Sequence, residues 1–386
     1  MPLGIYLASR ELWRNKGKFL LFSLVIALIT LLVLFVAALS EGLGSGNREY
    51  IQNLNGEAIV YQKNVDLSIA ISQLSRDKLN NVQRVNGVAE AGPVGFSRAS
   101  IPWEGAKKPL DVSMIGVEPG LPGDPAVVRG KALSRRNARE AVIDRNIAAL
   151  TGFGIGDTFK IRAIQGTKEE FFPLEVAGIT DSRKYSLQPS IFVPFLTWER
   201  IKPQLVVGAD ERDLVSNIIV AKLDDPRDLK RATSSIQNAV GDVEVVDLRM
   251  AYEATPGYSA QQSTLNTQRD FALLIGILVI GGFFQIQTLQ KVAQIGMLKA
   301  IGAPNFAVVV AVMTQIVGVT LVGVAIGTVA SLALSLTFPP TIPIVFERGA
   351  VISSILTLLA IGPLGGLLSI RYVLRVEPLT ALGLAA

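Results

Sequence analysis

Four long stretches of this chain carry no charged side chain. Phe19–Ser40, Phe271–Gln290 and Gly349–Ile370 hold 22, 20 and 22 residues respectively. Each is close to the ~20 residues an α-helix needs to cross the hydrocarbon of a bilayer. The fourth stretch, Ala300–Phe346, is uncharged for 47 residues, too many for one crossing. Pro339, Pro340 and Pro343 interrupt it, which predicts a span over 306–336 and a short external loop over 337–348. A cleaved signal peptide competes for the first run, because a basic start and Ala37-Ala38 fit one. The apolar part of such a peptide would be only about 7–15 residues, so the pattern predicts a span over 19–40.

Between the first two spans, residues 41–270 have the composition of a water-exposed protein with regular Gly and Pro punctuation. Two stretches there read alike. Ala58–Gln62, Ser75–Val85 and Val88–Val94 predict strand, helix, strand, and so do Asn217–Leu223, Pro226–Val240 and Val243–Leu248. Asp224 or Asp225 is placed to cap the second helix and Gly241 to stop it. Two β-α-β units flanking an insert over about 97–204 predict one α+β lobe assembled from both ends of the domain. Within the insert, Gly154–Ile161, Leu174–Ile179 and Ile191–Pro194 read as successive strands. Gly154 and Gly156 invite a nucleotide-loop reading, but no helix follows at the right place, so they predict a turn before a strand.

The short connector between the second and third spans, 291–305, carries the charges Lys291 and Lys299. Val292, Ile295, Leu298 and Ile301 recur at three-residue steps with Gln294 and Lys299 off that stripe, which predicts a short amphipathic helix. Gly302 followed by Pro304 ends it. On periodicity alone, a helix lying at the headgroups and a helix docking on a protein fit equally well. Gly323-xxx-Gly327 and Gly362-xxx-Gly366 let helix backbones approach closely, either within one subunit or between two.

The chain has 386 residues, of which 49% are hydrophobic and 18% charged, against about 25% charged in an ordinary water-soluble protein. It has no Cys and no His, which removes disulfides, thiol nucleophiles, imidazole bases and the usual zinc ligand sets. No D-x-D-x-D-G loop offers a calcium site, and no metal or cofactor is expected. Gly17-Lys18 and Gly130-Lys131 both lack the following Ser or Thr and the earlier Gly of a phosphate-binding loop. No acid–base constellation stands out, since Asp111, Glu118 and Asp124 are scattered among turn residues. The reading is therefore not an enzyme.

The formal charge of +5 is explained by topology. The segments expected inside hold Arg10, Arg14, Lys16, Lys18, Lys291, Lys299, Arg371 and Arg375 against Glu11 and Glu377. That leaves 29 basic and 30 acidic residues elsewhere, and no basic patch to assign to nucleic acid. Both termini are expected in the cytoplasm: an amphipathic segment over 1–18 and a tail over 371–386, with 41–270 outside.

The order Ile295-Gly296-x-Leu298-Lys299-Ala300-x-Gly302-Ala303 closely resembles the cytoplasmic signature of the FtsX-like permease family, which includes the MacB and LolC/LolE-type ABC transporters. The family usually has Glu at the position of Gln294. More loosely, "GIGDTFKIR…LEVAGI…IFVPF" is similar to the extracytoplasmic domain of MacB-like permeases, where a porter-like lobe carries a β-rich insert. The resemblance implies an α-helical membrane protein with four transmembrane helices plus a large α+β extracytoplasmic domain, in the inner or cell membrane. It also implies the permease subunit of an ABC transporter of the mechanotransmission branch. Such a subunit pairs with a separate cytoplasmic ABC ATPase and a second permease subunit, identical or related, and in some members with a membrane-fusion or adaptor protein. Gln294, Ile295, Gly296, Leu298, Lys299, Gly302 and Ala303 would then couple the spans to the ATPase. The alternative is an FtsX-like signalling protein acting on an extracytoplasmic partner such as a cell-wall hydrolase. The 230-residue domain is larger than that role needs, so transport is preferred.

Overall fold

The computed structural model describes residue 10 and residues 13–375, apart from 104–107, 182, 186, 204–214, 256, 291 and 339–343. For residues 47, 288, 298 and 366–375 only the backbone is considered. Most of the expected 1–18 segment, the centre of the 337–348 loop and the tail after Arg375 therefore lie outside the described residues. The chain divides into two units, Met1–Leu43 with Gln261–Ala386, and Gly44–Ala260.

The first unit is helical. Helix α1 (Lys16–Gln52) gives it its N-terminal part; α7 (Tyr258–Gln290), the short α8 (Val292–Ala300), α9 (Asn305–Ser335) and α10 (Arg348–Arg375) complete it. Among the described residues, four helices are long and apolar enough to cross a membrane: α1, α7, α9 and α10. The uncharged runs are only parts of these helices. Helix α1 passes the expected end at Ser40 and continues through Glu41, Arg48 and Glu49 to Gln52. Charge ends a membrane-crossing stretch but not a helix, which needs only unbroken i→i−4 bonding and no Pro or strained Gly.

Small residues set the packing inside this unit. A Cβ on Gly323 would fall 2.8 Å from the Ser23 carbonyl, and one on Gly327 would fall 2.5 Å from the Ala27 carbonyl, so α9 lies directly on α1 of the same chain. Gly362 faces the Thr320 side chain, and Gly281 and Gly365 bring α7 and α10 together, a Cβ on Gly281 falling 3.0 Å from the Gly365 carbonyl. Gly366 lies within α10. Around these contacts Phe19, Ile26, Val33, Ile280, Phe284 and Ile316 form a buried core. In lipid the gain comes from close van der Waals packing rather than from escape from water, which is why glycines sit at the contacts.

The second unit is built on one ten-stranded sheet. Its strands and helices run β1 (Ala58–Gln62), α2 (Arg76–Gln83), β2 (Val88–Ile101), β3 (Leu110–Val117), β4 (Val127–Gly130), β5 (Glu140–Asp144), α3 (Arg145–Thr151), β6 (Thr158–Gln165), β7 (Lys168–Thr180), β8 (Ser190–Pro194), α4 (Phe195–Ile201), β9 (Ile218–Leu223), α5 (Leu229–Val240), β10 (Val243–Asp247) and α6 (Leu248–Glu253). The order across the sheet is β10-β1-β9-β2-β3-β8-β5-β7-β4, with β6 pairing β7 and the end of β2. The two β-α-β units, β1-α2-β2 and β9-α5-β10, interlock, because β9 lies between β1 and β2 while β1 lies between β9 and β10.

Period-2 alternation assigns the two faces of the lobe. Ala58 and Val60 join Val82, Ile236 and Val240 under α2 and α5, while Ile59 and Tyr61 share a cluster with Tyr50 and Ile51 of α1 and with Leu54 just beyond it. The predicted caps divide the labour. Asp225 accepts from the Arg227 N–H at 2.9 Å to start a 3₁₀ turn over Pro226–Asp228, and Gly241 at φ 62° closes α5.

The strand expected over Val88–Val94 runs on to Ile101 and carries the sheet from the lobe into the insert. Strand β2 runs 14 residues, pairing with β9 at its start and with β3 at its end, so lobe and insert share one sheet. Gly154 and Gly156 lie in the turn ahead of β6, with Gly156 at φ 89°. Glu118, one of the three acids scattered among turn residues, is buried and paired with the Arg136 guanidinium.

Candidate functional site: the connector helix α8

The connector folds as α8, bounded by special backbone at its C-terminal end. The Gly302 N–H donates to the Lys299 carbonyl at 3.0 Å, and Gly302 itself sits at φ 96°, where an L side chain would be strained. Pro304 then occupies the position before α9, its fixed φ setting the turn into the next helix. The result is a helix of nine residues on a tight connection between two long ones.

The expected apolar stripe splits. Ile295 is buried and packs on Val308 and Val312 of α9, so it holds α8 against its own bundle. Gly296 is buried beside it. Ile301, by contrast, is 87% exposed. Steps of three residues turn a helix by about 300°, so positions six apart lie about 120° apart and do not share a face. The residues facing out together are Gln294, Met297 and Ile301, spaced three and four apart. Met297 is 46% exposed, and Phe306 at the start of α9 is 77% exposed. Met297 and Phe306 were missed by the three-step count; a 3.6-residue period starting from Gln294 finds Met297. Lys299 and Ala303 are half-buried, Ala300 and Gly302 exposed, and Leu298 lies within the helix with its side chain outside the described residues. This arrangement has one face anchored inward and one apolar, sulfur-containing face outward.

Comparison with known proteins places this site in a family. Residues 19–239 match the model of the MacB-like periplasmic core domain, and residues 271–378 match that of the FtsX-like permease C-terminal. The second match contains α8. Similar over its whole length is the "Putative hemin transport system permease protein HrtB" of Staphylococcus haemolyticus, 26% identical over 377 residues, covering 98% of this chain and 99% of that one. An uncharacterized ABC transporter permease of Mycobacterium tuberculosis is 21% identical over 383 residues, again 98% and 99% of the two chains. Among solved structures, the extracellular domain of the ABC-type transporter YknZ from Gram-positive bacteria aligns with a TM-score of 0.36 and 13% identity, covering 50% of this chain and 100% of that one. The periplasmic region of MacB from Actinobacillus actinomycetemcomitans aligns with a TM-score of 0.35 and 15% identity, covering 52% and 93%. With one model matching more than half of the chain and a second matching the bundle that carries α8, the chain belongs to the FtsX-like, MacB-type family of ABC transporter permeases, membrane proteins with a large extracytoplasmic domain.

Proposed function

We propose that this permease couples ATP hydrolysis by a separate cytoplasmic ATPase to movements of its extracytoplasmic domain, exporting or extracting a substrate by mechanotransmission. The observation that carries this reading is α8, anchored by Ile295 and presenting Gln294, Met297 and Ile301 outward. A short helix held rigidly between two spans can pass a push to both of them as a packing change. Gly296, Gly302 and Ala303 shape the connection, and Lys299 and Leu298 complete the helix. Two permease copies, identical or related, would face two ATPases, with an adaptor protein outside in an efflux system. Both termini and α8 lie in the cytoplasm and residues 41–270 outside, because the short segments beside the spans are strongly basic. The full-length similarity to permeases named for hemin transport makes a flat, membrane-partitioning compound such as hemin the first cargo to test.

Orientation is tested with single cysteines, which can be introduced cleanly into a chain that has none. Asn137→Cys and Asn305→Cys both lie at exposed positions. In intact cells, with any outer membrane permeabilised, an impermeant maleimide should label the first and spare the second. The opposite pattern would put α8 on the side that lacks ATP and end the coupling reading.

A further inference from the structure

The last turns of α1, from Gly44 onward, belong to the second unit, and there they are gripped by the segment joining β7 to β8. The Gly46 carbonyl accepts the Leu187 N–H at 3.0 Å, and the Tyr50 N–H donates to the Lys184 carbonyl at 3.1 Å. Glu49 Oε2 accepts the Lys184 N–H at 3.3 Å. Leu187 lies across the helix so closely that a Cβ on Gly46 would fall 2.6 Å from its Cδ2. It does so in the left-handed region, at φ 63°, a conformation a leucine holds only where its surroundings fix it.

The same segment is pinned on its other side to the β-rich part of the sheet. Asp144 Oδ2, at the end of β5, accepts the Arg183 N–H at 2.8 Å, and the Ser113 hydroxyl on β3 donates to the Tyr185 carbonyl at 3.1 Å. Tyr185 and Gln188 exchange two backbone hydrogen bonds at 3.0 Å, which closes the segment into a tight strap. The Tyr185 ring stands edge-on to Tyr50 of α1 and to Phe96 of β2, at 5.8 and 4.9 Å between centroids. Asp144 is fully buried, and burial pushes its carboxyl up against the pull of the N–H groups that donate to it. Helix α7 is joined differently: its first residue, Tyr258, packs on Tyr252 of α6, which follows the edge strand β10.

We infer that Arg183, Lys184, Tyr185, Leu187 and Gln188 form a permanent joint that makes the end of α1 and the β3–β5–β8 part of the sheet move as one body. This rests on the mechanotransmission reading, for which the joint is the point where displacement of α1 enters the external domain. A strap that let go during the cycle would break three hydrogen bonds at once and lift Leu187 off Gly46.

The test uses the full chain in detergent, with and without its co-purified ATPase. In a Gly46→Cys/Leu187→Cys double variant, the new Cβ on residue 46 lies 3.5 Å from Cα of residue 187, which brings the two residues close enough for bridging. The disulfide should form in nearly all molecules, and the ATP hydrolysis rate of the bridged complex should stay within about twofold of the reduced one. No bridge, or a loss of about tenfold restored by reductant, would overturn the permanent joint. Hydrogen exchange on the permease alone decides the matter even where no ATPase co-purifies, an outcome that would count against the proposed function and not against the joint. The amides of Tyr50, Lys184 and Leu187 should exchange as slowly as those between β3 and β8. Gly46→Ala should speed them by about tenfold or more, and adding Leu187→Ala should restore most of the protection by removing the clash. Fast exchange in the unaltered chain, or no response to Gly46→Ala, would remove the joint.

Discussion

Met297→Glu and Ile301→Glu should each weaken binding of the ATPase at least about tenfold while leaving membrane insertion and folding unchanged. Met297 on α8 and Ile301 just past its end face outward, at 46% and 87% exposure, so a carboxylate at either position can reach solvent in the free permease. The cost appears only when a partner covers them. Burying an unpaired carboxylate at a protein interface costs about 2 kcal/mol or more even after partial rehydration. At about 1.4 kcal/mol per tenfold change in affinity, that is a tenfold loss or greater. Ile295→Glu should fail in another way, because Ile295 is buried on Val308 and Val312 and its loss loosens the bundle before any partner arrives. Lys299→Glu should give a smaller effect that shrinks with salt, as charges at an interface rim do. Titration of tagged permease with its ATPase at two ionic strengths separates the three behaviours. Normal binding by both Met297→Glu and Ile301→Glu would show that the outward face of α8 is not the docking surface.

The largest stability effect is expected in the second unit, at Trp198. Gly95 and Gly116 are directly paired across β2 and β3, and the Trp198 ring lies in the slot left by their two missing Cβ atoms. The indole is 2% exposed, donates from Nε1 to Ser97 Oγ at 3.0 Å, and is flanked by Phe195 and the Lys202 ammonium. Trp198→Ala empties a slot that β2 and β3 cannot close, since the strands are held by their ladder. Losses for such a truncation are about 3–5 kcal/mol. In a domain of this size each kcal/mol lowers the melting temperature by about 2–4 °C, so a fall of about 10 °C is expected. Trp198→Phe should lose less, because it keeps a ring in the slot and gives up mainly the Ser97 hydrogen bond. Gly116→Val should resemble the alanine variant from the opposite cause, overfilling the slot from the strand side. Circular dichroism of the purified chain on heating reads all three. A Trp198→Ala protein melting within a degree or two of the unaltered chain would contradict this packing.

The spans and the lobe were legible in the sequence because each rests on a local signal. An uncharged run long enough to cross a bilayer can be counted, and the two strand–helix–strand units show their own periodicities. What was hidden depends on contacts between distant residues. The sharing of β2 by lobe and insert is a pairing of Val94–Ile101 with the next strand, β3, and of Val88–Val94 with β9, which lies far away in sequence. The slot for Trp198 requires Gly95 and Gly116 to come opposite one another, which only the register decides. On α8 the residues of the family signature were in view, but a stripe counted in threes set Ile295 and Ile301 on one face. The helix turns them apart, and Met297, outside that stripe, is the residue that stands with Ile301.

Dependence of this permease on a separate ATPase is tested by purifying the tagged chain from its own membranes in mild detergent and identifying what stays bound. A second polypeptide that contains a phosphate-binding loop is expected. That complex should hydrolyse ATP, and the permease stripped of its partner should not. Hydrolysis by the stripped permease in a preparation free of other ATPases, or repeated recovery of folded permease with no ATPase attached, would contradict it.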